Sequence, residues 1–261
     1  MLVILPSSKT MSLEDYLVND KNTVPEFIDL ANLLVSEVKK YKIAELKKLM
    51  KVSDKLADLT LKTYQQFSIE KNINKISSPS IYSFKGDVYD AFDINSFSFA
   101  DIEYMQDNLR IISGLYGVLR PLDLIQNYRL EMATILPIDN GKIKVKNLYQ
   151  FWYQHITKSL NELILNKNNP SLINLASSEY FKVIDKAELK SNIITPIFKE
   201  NIKDTDNYKI IAIHSKKARG VMAQYILKNR IKTINDIKDF SGLGYKFSKK
   251  DSNDNDLVFI R

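Results

Sequence analysis

The chain has 261 residues, 44% of them hydrophobic and 26% charged, with a formal net charge of +7 and no cysteine. The absence of cysteine excludes disulfides, iron-sulfur clusters, thiolate zinc sites and a cysteine nucleophile, and two histidines, His155 and His214, leave little for a histidine-based metal centre. No apolar run reaches membrane-spanning length and the opening Met-Leu-Val-Ile-Leu-Pro lacks the basic flank of a signal peptide, so a cytoplasmic protein that makes no membrane contact is expected.

From the N-terminus onward, short apolar and often β-branched runs predict buried strands at Leu2–Leu5, Ile81–Phe84, Arg110–Ser113, Leu172–Leu175, Ile193–Phe198 and Tyr208–Ile213. Between them, apolar spacing of three and four predicts helices at Val24–Lys39, Ala44–Met50, Asp54–Phe67, Phe99–Leu109, Tyr149–Leu165 and Ala218–Asn229. No repeat and no linker rich in glycine, proline or serine divides the chain. The expected fold is α/β, or mixed α+β: one domain over residues 1–261 with a central, partly parallel mixed sheet flanked by helices.

Five of the strand-like runs are followed by residues that no core requires: Ser7-Ser8-Lys9-Thr10, Lys85-Gly86-Asp87, Gly114-Leu115-Tyr116-Gly117, Ala176-Ser177-Ser178-Glu179-Tyr180 and His214-Ser215-Lys216-Lys217. In open α/β sheets ligands bind beyond the carboxyl ends of the strands, so parallel strands would bring these loops to one cleft.

Residues 110 to 132 hold three of the six arginines and two of the seven glycines in a chain that otherwise uses lysine as its cation. Arginine presents a planar fork that grips phosphate or carboxylate at two points, whereas lysine is a solvated point charge, so Arg110, Arg120 and Arg129 mark places where geometry matters. From His214 to Lys232 the chain carries Lys216, Lys217, Arg219, Lys228, Arg230 and Lys232 with no acid, and Lys142, Lys144 and Lys146 form a second acid-free cluster. Such runs suit either a phosphate-facing surface or an ordinary solvated helix face.

Seven segments in one order resemble the YaaA family of bacterial peroxide-stress proteins. They are Lys9-Thr10, Met50–Ala57, Phe84–Tyr89, the arginine-rich stretch, Leu148–Trp152, Ile173–Lys182 and Lys216–Gly220. The resemblance implies a cytosolic protein induced by peroxide that limits oxidative damage and lowers available iron. It also implies double-stranded DNA binding through a basic cleft with a helix-hairpin-helix element, and it brings no established reaction. The chain departs from the family pattern at Pro6-Ser7-Ser8, at Asn127 for a proline, at Ala91 and Ala133 for glycines, and at Gln224 for an arginine.

A helix-hairpin-helix element grips a phosphate with main-chain amides in a tight turn. The best candidate lies within residues 44–67, with Val52 as the apolar hairpin residue, Ser53 capping the second helix, Ala57 at the small packing position and Lys51 and Lys55 as the nearby cations. Lys51 and Ser53 stand where hairpin glycines are usual, and an ordinary helix pair fits the same residues. Ser7-Ser8-Lys9-Thr10 resembles the end of a phosphate loop without its upstream glycines, and Lys9 and Thr10 remain able to offer a cation and a hydroxyl to one phosphate.

The phosphate-facing set is therefore Lys9, Thr10, Lys51, Ser53, Lys55, Lys85, Arg110, Arg120, Arg129, Lys216, Lys217 and Arg219. Polar residues suited to acid-base or orienting roles are Tyr116, Asp123, Tyr128, Glu131, Asn174, Ser177, Glu179, Tyr180 and His214; Asn174 fits a satisfied core amide equally well. An iron site would have to use Glu103, Asp123, Glu131 and Glu179, which show no ligand spacing, so neither a resident metal nor any cofactor is expected. The expected partner is double-stranded or branched DNA, bound by a monomer. The alternative is an enzyme acting on a nucleotide or nucleic acid, with Lys9, Tyr116, Arg120, Glu179 and Lys217 lining one pocket.

Overall fold

The computed structural model describes residues 1–13, 20–68, 76–166, 170–202 and 207–261. In its first third, β1 (Leu2–Pro6) and β2 (Thr10–Met11) are followed by α1 (Ile28–Val38), α2 (Ile43–Met50) and α3 (Asp54–Gln66). Then come β3 (Ser78–Pro79), α4 (Ser80–Ser83), β4 (Phe84–Lys85), α5 (Asp87–Phe92), α6 (Phe99–Asn108), β5 (Leu109–Ser113), β6 (Gly117–Leu119) and β7 (Leu124–Ile125). The remainder contains β8 (Ile138–Asp139), β9 (Lys144–Val145), α7 (Leu148–Leu165), β10 (Ser171–Asn174), α8 (Ser178–Phe181) and β11 (Asn192–Asn201). It closes with β12 (Tyr208–Lys209), α9 (Ala212–Lys228), α10 (Ile234–Lys238), β13 (Lys246–Phe247) and β14 (Asp256–Ile260).

Every residue of β1, β5 and β10 is buried, which is why their sequences are mainly apolar rather than alternating, with Arg110, Ser113, Ser171 and Asn174 as polar exceptions. β1 runs parallel to both neighbours, with Val3 opposite Ile173 of β10 and Leu109 of β5. β10 is parallel to β11, and β11 to β14. The sheet order is β13-β14-β11-β10-β1-β5-β6, with β13, β6 and the short β12 attached antiparallel to β14, β5 and β11. Numbered along the chain, its five parallel strands lie in the order 2-1-3-4-5, that of a doubly wound sheet, and the direction of winding reverses between β1 and β10. The mixed, mostly parallel sheet flanked by helices is the architecture the sequence predicts.

Local chemistry sets several boundaries. α3 starts where Ser53 Oγ accepts the Leu56 amide, and α6 starts with a reciprocal Ser98 and Asp101 capping box. The β5–β6 hairpin turns through Gly114-Leu115-Tyr116, and Gly117 at φ 70° lies so close to Trp152 that a Cβ there would meet the indole at 2.7 Å. Trp152 is fully buried and donates to the Gly114 carbonyl at 2.9 Å, which ties α7 to the hairpin.

Four predicted elements change. The Ile81–Phe84 strand is instead one helical turn, α4, with only Phe84 passing into β4, because Pro79 and serine hydroxyls redirect the backbone: Ser83 Oγ donates to the Pro79 carbonyl at 2.9 Å and Ser80 Oγ to the Arg120 carbonyl at 2.8 Å. The Tyr208–Ile213 strand stops after two residues at the sheet edge and α9 begins at Ala212, six residues before the predicted Ala218. There the buried stripe of Ser215, Ala218, Met222 and Ile226, spaced by three and four, outweighs the β propensity of Ile210, Ile211 and Ile213. α1 starts at Ile28 rather than Val24, after a turn in which the Ile28 amide donates to the Pro25 carbonyl. β14, whose Leu-Val-Phe-Ile run was not among the predicted strands, completes the parallel set.

Candidate functional site

A cleft of 470 Å³ opens beyond the carboxyl ends of β1 and β10, where the winding of the sheet reverses. One wall is Pro6 to Thr10, a second is Lys85 to Tyr89, a third is Ser177, Glu179 and Tyr180, and a fourth is Lys216 and Arg219 of α9. Four of the five strand-end segments thus converge. Antiparallel pairing of Thr10 with Lys85 joins the first two walls, and the Ser8 hydroxyl donates to the Lys85 carbonyl. Gly220 brings the α9 wall against α5, since a Cβ there would lie 2.1 Å from the Val88 carbonyl oxygen.

The fifth segment, Gly114 to Gly117, does not reach the cleft. Tyr116 is fully buried in the hairpin turn, its phenol accepting the Gln126 amide at 3.1 Å and its ring edge-on to Tyr128 at 5.4 Å. The five-residue enzyme pocket therefore does not form: Lys9 and Glu179 line the cleft, while Tyr116 is buried, Arg120 is engaged elsewhere and Lys217 is exposed on α9 outside the lining.

The arginines of the 110–132 stretch are mostly spoken for. Arg110 is buried and donates through Nη1 to the Gln106 and Leu109 carbonyls at 2.6 and 2.7 Å; burial pulls its pKa down to about 10. Arg120 donates through Nε to Asp123 Oδ1 at 3.0 Å and through Nη2 to the Val24 carbonyl at 2.8 Å. Asp123, also bonded by Thr23 Oγ1 at 2.6 Å, is so deeply buried that desolvation raises its pKa despite Arg120. Arg129 donates to Glu131 Oε1 at 3.0 Å, and Glu131 Oε2 lies 2.6 Å from Lys9 Nζ at the cleft edge.

Arg219 differs from all of these. It is half-buried in the cleft wall and, among the described residues, faces no carboxylate or carbonyl; desolvation lowers its pKa. Lys216 lies 3.7 Å from Asp87, too far for a close pair. A cation held partly out of water without a counter-ion favours the arrival of an anion.

Beneath the cleft lies a layer of phenols. Tyr180 accepts from Ser7 Oγ at 3.2 Å, Tyr89 donates to the Pro6 carbonyl at 2.8 Å, and Tyr128 shares a 2.8 Å bond with Ser113 Oγ. Burial raises the pKa of Tyr89 and Tyr180, and that of Tyr128 to about 12, so near neutral pH these groups stay protonated and orient neighbours rather than accept protons. Glu179 accepts the Ala133 amide at 3.2 Å, and Ser177 caps α8 without a side-chain bond. Asn174 is a satisfied core amide: its Oδ1 accepts the Ala176 amide at 3.1 Å and its Nδ2 reaches Thr195.

His214 is not at a strand end. It sits in the first turn of α9, its Nδ1 3.2 Å from Glu200 Oε1 but out of line for a hydrogen bond. Glu200 also receives Tyr245 and the Nε of Arg261. Outside the cleft lining, α2 and α3 are joined through Lys51, at φ 53°, Val52 and the capping Ser53, with Lys55 exposed in the first turn of α3. A second groove runs from Lys48 and Lys51 to Glu131, which adjoins the cleft through Lys9. Among the described residues, no three His, Asp or Glu side chains gather at metal-binding spacing, and no helix is long and apolar enough to cross a membrane.

Pro6, Val88 and Tyr89 line the cleft without a site role assigned from the sequence; Val88 and Tyr89 fall in the Phe84–Tyr89 segment of the family resemblance, and apolar side chains carry no mark that separates cleft from core.

Residues 1–251 match the family model described as Peroxide stress protein YaaA. The chain is similar to a UPF0246 protein of Aliivibrio fischeri (strain ATCC 700601 / ES114), 42% identical over 261 residues that cover 100% of this chain and 98% of the relative. It is 43% identical to a UPF0246 protein of Polynucleobacter asymbioticus over 100% of this chain and 98% of that one. A UPF0246 protein of Legionella pneumophila (strain Corby) is 44% identical over 100% of this chain and 99% of its own length.

Proposed function

This chain belongs to the peroxide stress protein YaaA family, and from that premise we propose that it serves peroxide protection by binding the phosphate backbone of DNA along its basic cleft. The observation that supports the proposal is Arg219, a half-buried guanidinium without a counter-ion among the described residues, set among Lys9, Lys85 and Lys216 from separate segments. The net charge of +7 favours association with a polyanion. The α2–α3 turn is a second candidate phosphate contact, because the groove holding Lys51 reaches Glu131 beside Lys9.

Backbone binding has a direct chemical consequence for oxidative damage. Each phosphate neutralised by Lys or Arg gives up its condensed counterions. Ferrous iron held as such a counterion is released from the strand, and peroxide reduced by it then generates its radical away from the sugar.

The test is the affinity of the purified protein for a duplex and for a four-way junction as salt is raised from about 50 to 200 mM. Affinity is expected to fall linearly on a log-log plot. Affinity that stays flat across that range would sink the proposal.

A further inference from the structure

The cleft is small for a duplex and well sized for one nucleotide. Its 470 Å³ corresponds to a cube about 8 Å on edge, within the roughly 300 to 1,000 Å³ of small-ligand sites. A backbone lying across the rim leaves this interior unused. The interior stands at the reversal between β1 and β10, the place where doubly wound sheets hold compact ligands between strand-end loops. Its surfaces are chemically divided. Arg219 and Lys216 supply cations on the α9 side, Pro6, Val88 and Tyr180 supply apolar surface, and the Glu179 carboxylate supplies an acceptor for base amino groups. Phosphate, flat ring and exocyclic amine are the three parts of a nucleotide that such a division fits.

We propose that the cavity receives a single nucleotide, a nucleoside monophosphate unit with its phosphate on Arg219 and its base against Pro6, Val88 and Tyr180, either free or drawn out of a DNA strand. The second source rests on the DNA-binding proposal above; the first does not. Drawing a base from a duplex costs a few kcal/mol and least where the base is mismatched, so mismatched sites are the natural ones to engage.

The probe is 2-aminopurine, used as its free deoxynucleoside monophosphate and as one residue of a duplex, paired with thymine or mismatched with cytosine. The free monophosphate is expected to bind, and the mismatched duplex to bind about tenfold more tightly than the paired one, with a change in 2-aminopurine emission. Arg219→Ala is expected to weaken monophosphate binding at least about tenfold. Arg219→Gln, which keeps most of the volume, is expected to do the same should the alanine variant fail to fold.

Monophosphate binding without any duplex binding would uphold the cavity proposal and overturn the DNA proposal. Salt-dependent duplex binding with no mismatch preference, no emission change and no monophosphate binding would do the reverse. Loss of neither charge variant's affinity would overturn the placement of phosphate on Arg219, and absence of all binding would overturn both proposals.

Discussion

Lys9 and Glu131 form a 2.6 Å ion pair that closes the edge of the cleft, and the second oxygen of the same carboxylate lies 3.0 Å from Arg129. Glu131 thus occupies two cations as a phosphate would. Glu131→Gln is expected to raise affinity for duplex DNA by about three- to tenfold at low salt, since it frees Lys9 for a phosphate. The log-log salt dependence should steepen by roughly one unit. Fluorescence anisotropy checks both; unchanged affinity and slope would show that Lys9 does not meet the backbone.

Replacing Lys216, Lys217 and Arg219 together by alanine is expected to weaken binding to unrelated duplex sequences alike and to shallow the salt slope by roughly two to three units. A loss confined to one sequence would point to base contacts instead.

Gly220 is where α9 crosses α5, and a methyl there would lie 2.1 Å from the Val88 carbonyl oxygen. Gly220→Ala is expected to cost about 3 kcal/mol by overpacking, lowering Tm by roughly 5 to 10 °C. It should also displace Arg219 one residue away, so DNA or nucleotide affinity is expected to fall together with stability. A variant with wild-type Tm would contradict the close approach.

The Glu200 carboxylate is anchored by Tyr245, by Arg261 and by the charge of His214 when protonated. Burial alone would raise its pKa, but the hydrogen bonds from Tyr245 and Arg261 outweigh burial and leave it below the usual range. A lowered pKa means stability that is present above the unfolded value of about 4.3 and is lost as pH falls through the folded value. Glu200→Gln is therefore expected to cost about 1 to 2 kcal/mol near pH 7, with the gap to wild type narrowing toward roughly pH 3. Thermal denaturation across that range checks it, and a constant gap would mean the carboxylate charge is not what stabilises this corner.

The parallel core was legible because strands buried on both faces are mainly apolar, and β1, β5 and β10 carry short runs of that composition, with Arg110, Ser113, Ser171 and Asn174 as buried polar exceptions. Ile81 and Ile213 carry the same β-branched signal and sit in helices, one redirected by serine hydroxyls and the other drawn into the stripe that α9 buries. Within the site, Lys9, Lys85, Glu179, Lys216 and Arg219 were recognisable as residues that no core explains, and they do meet at one cleft. Arg110 and Arg120 looked equally conspicuous yet turn inward, because in a sequence a guanidinium that caps carbonyls or holds Asp123 is indistinguishable from one that faces a ligand.

The sequence alone determined the family, the apolar strands and the supply of cations, since each of these is a property of residue type and order along the chain. The tertiary structure decided which of those cations remain available. Charge pairing acts through space, and only the fold brings Glu131 to Lys9, Asp123 to Arg120 and the Gln106 carbonyl to Arg110 while leaving Arg219 half-buried and without a counter-ion among the described residues.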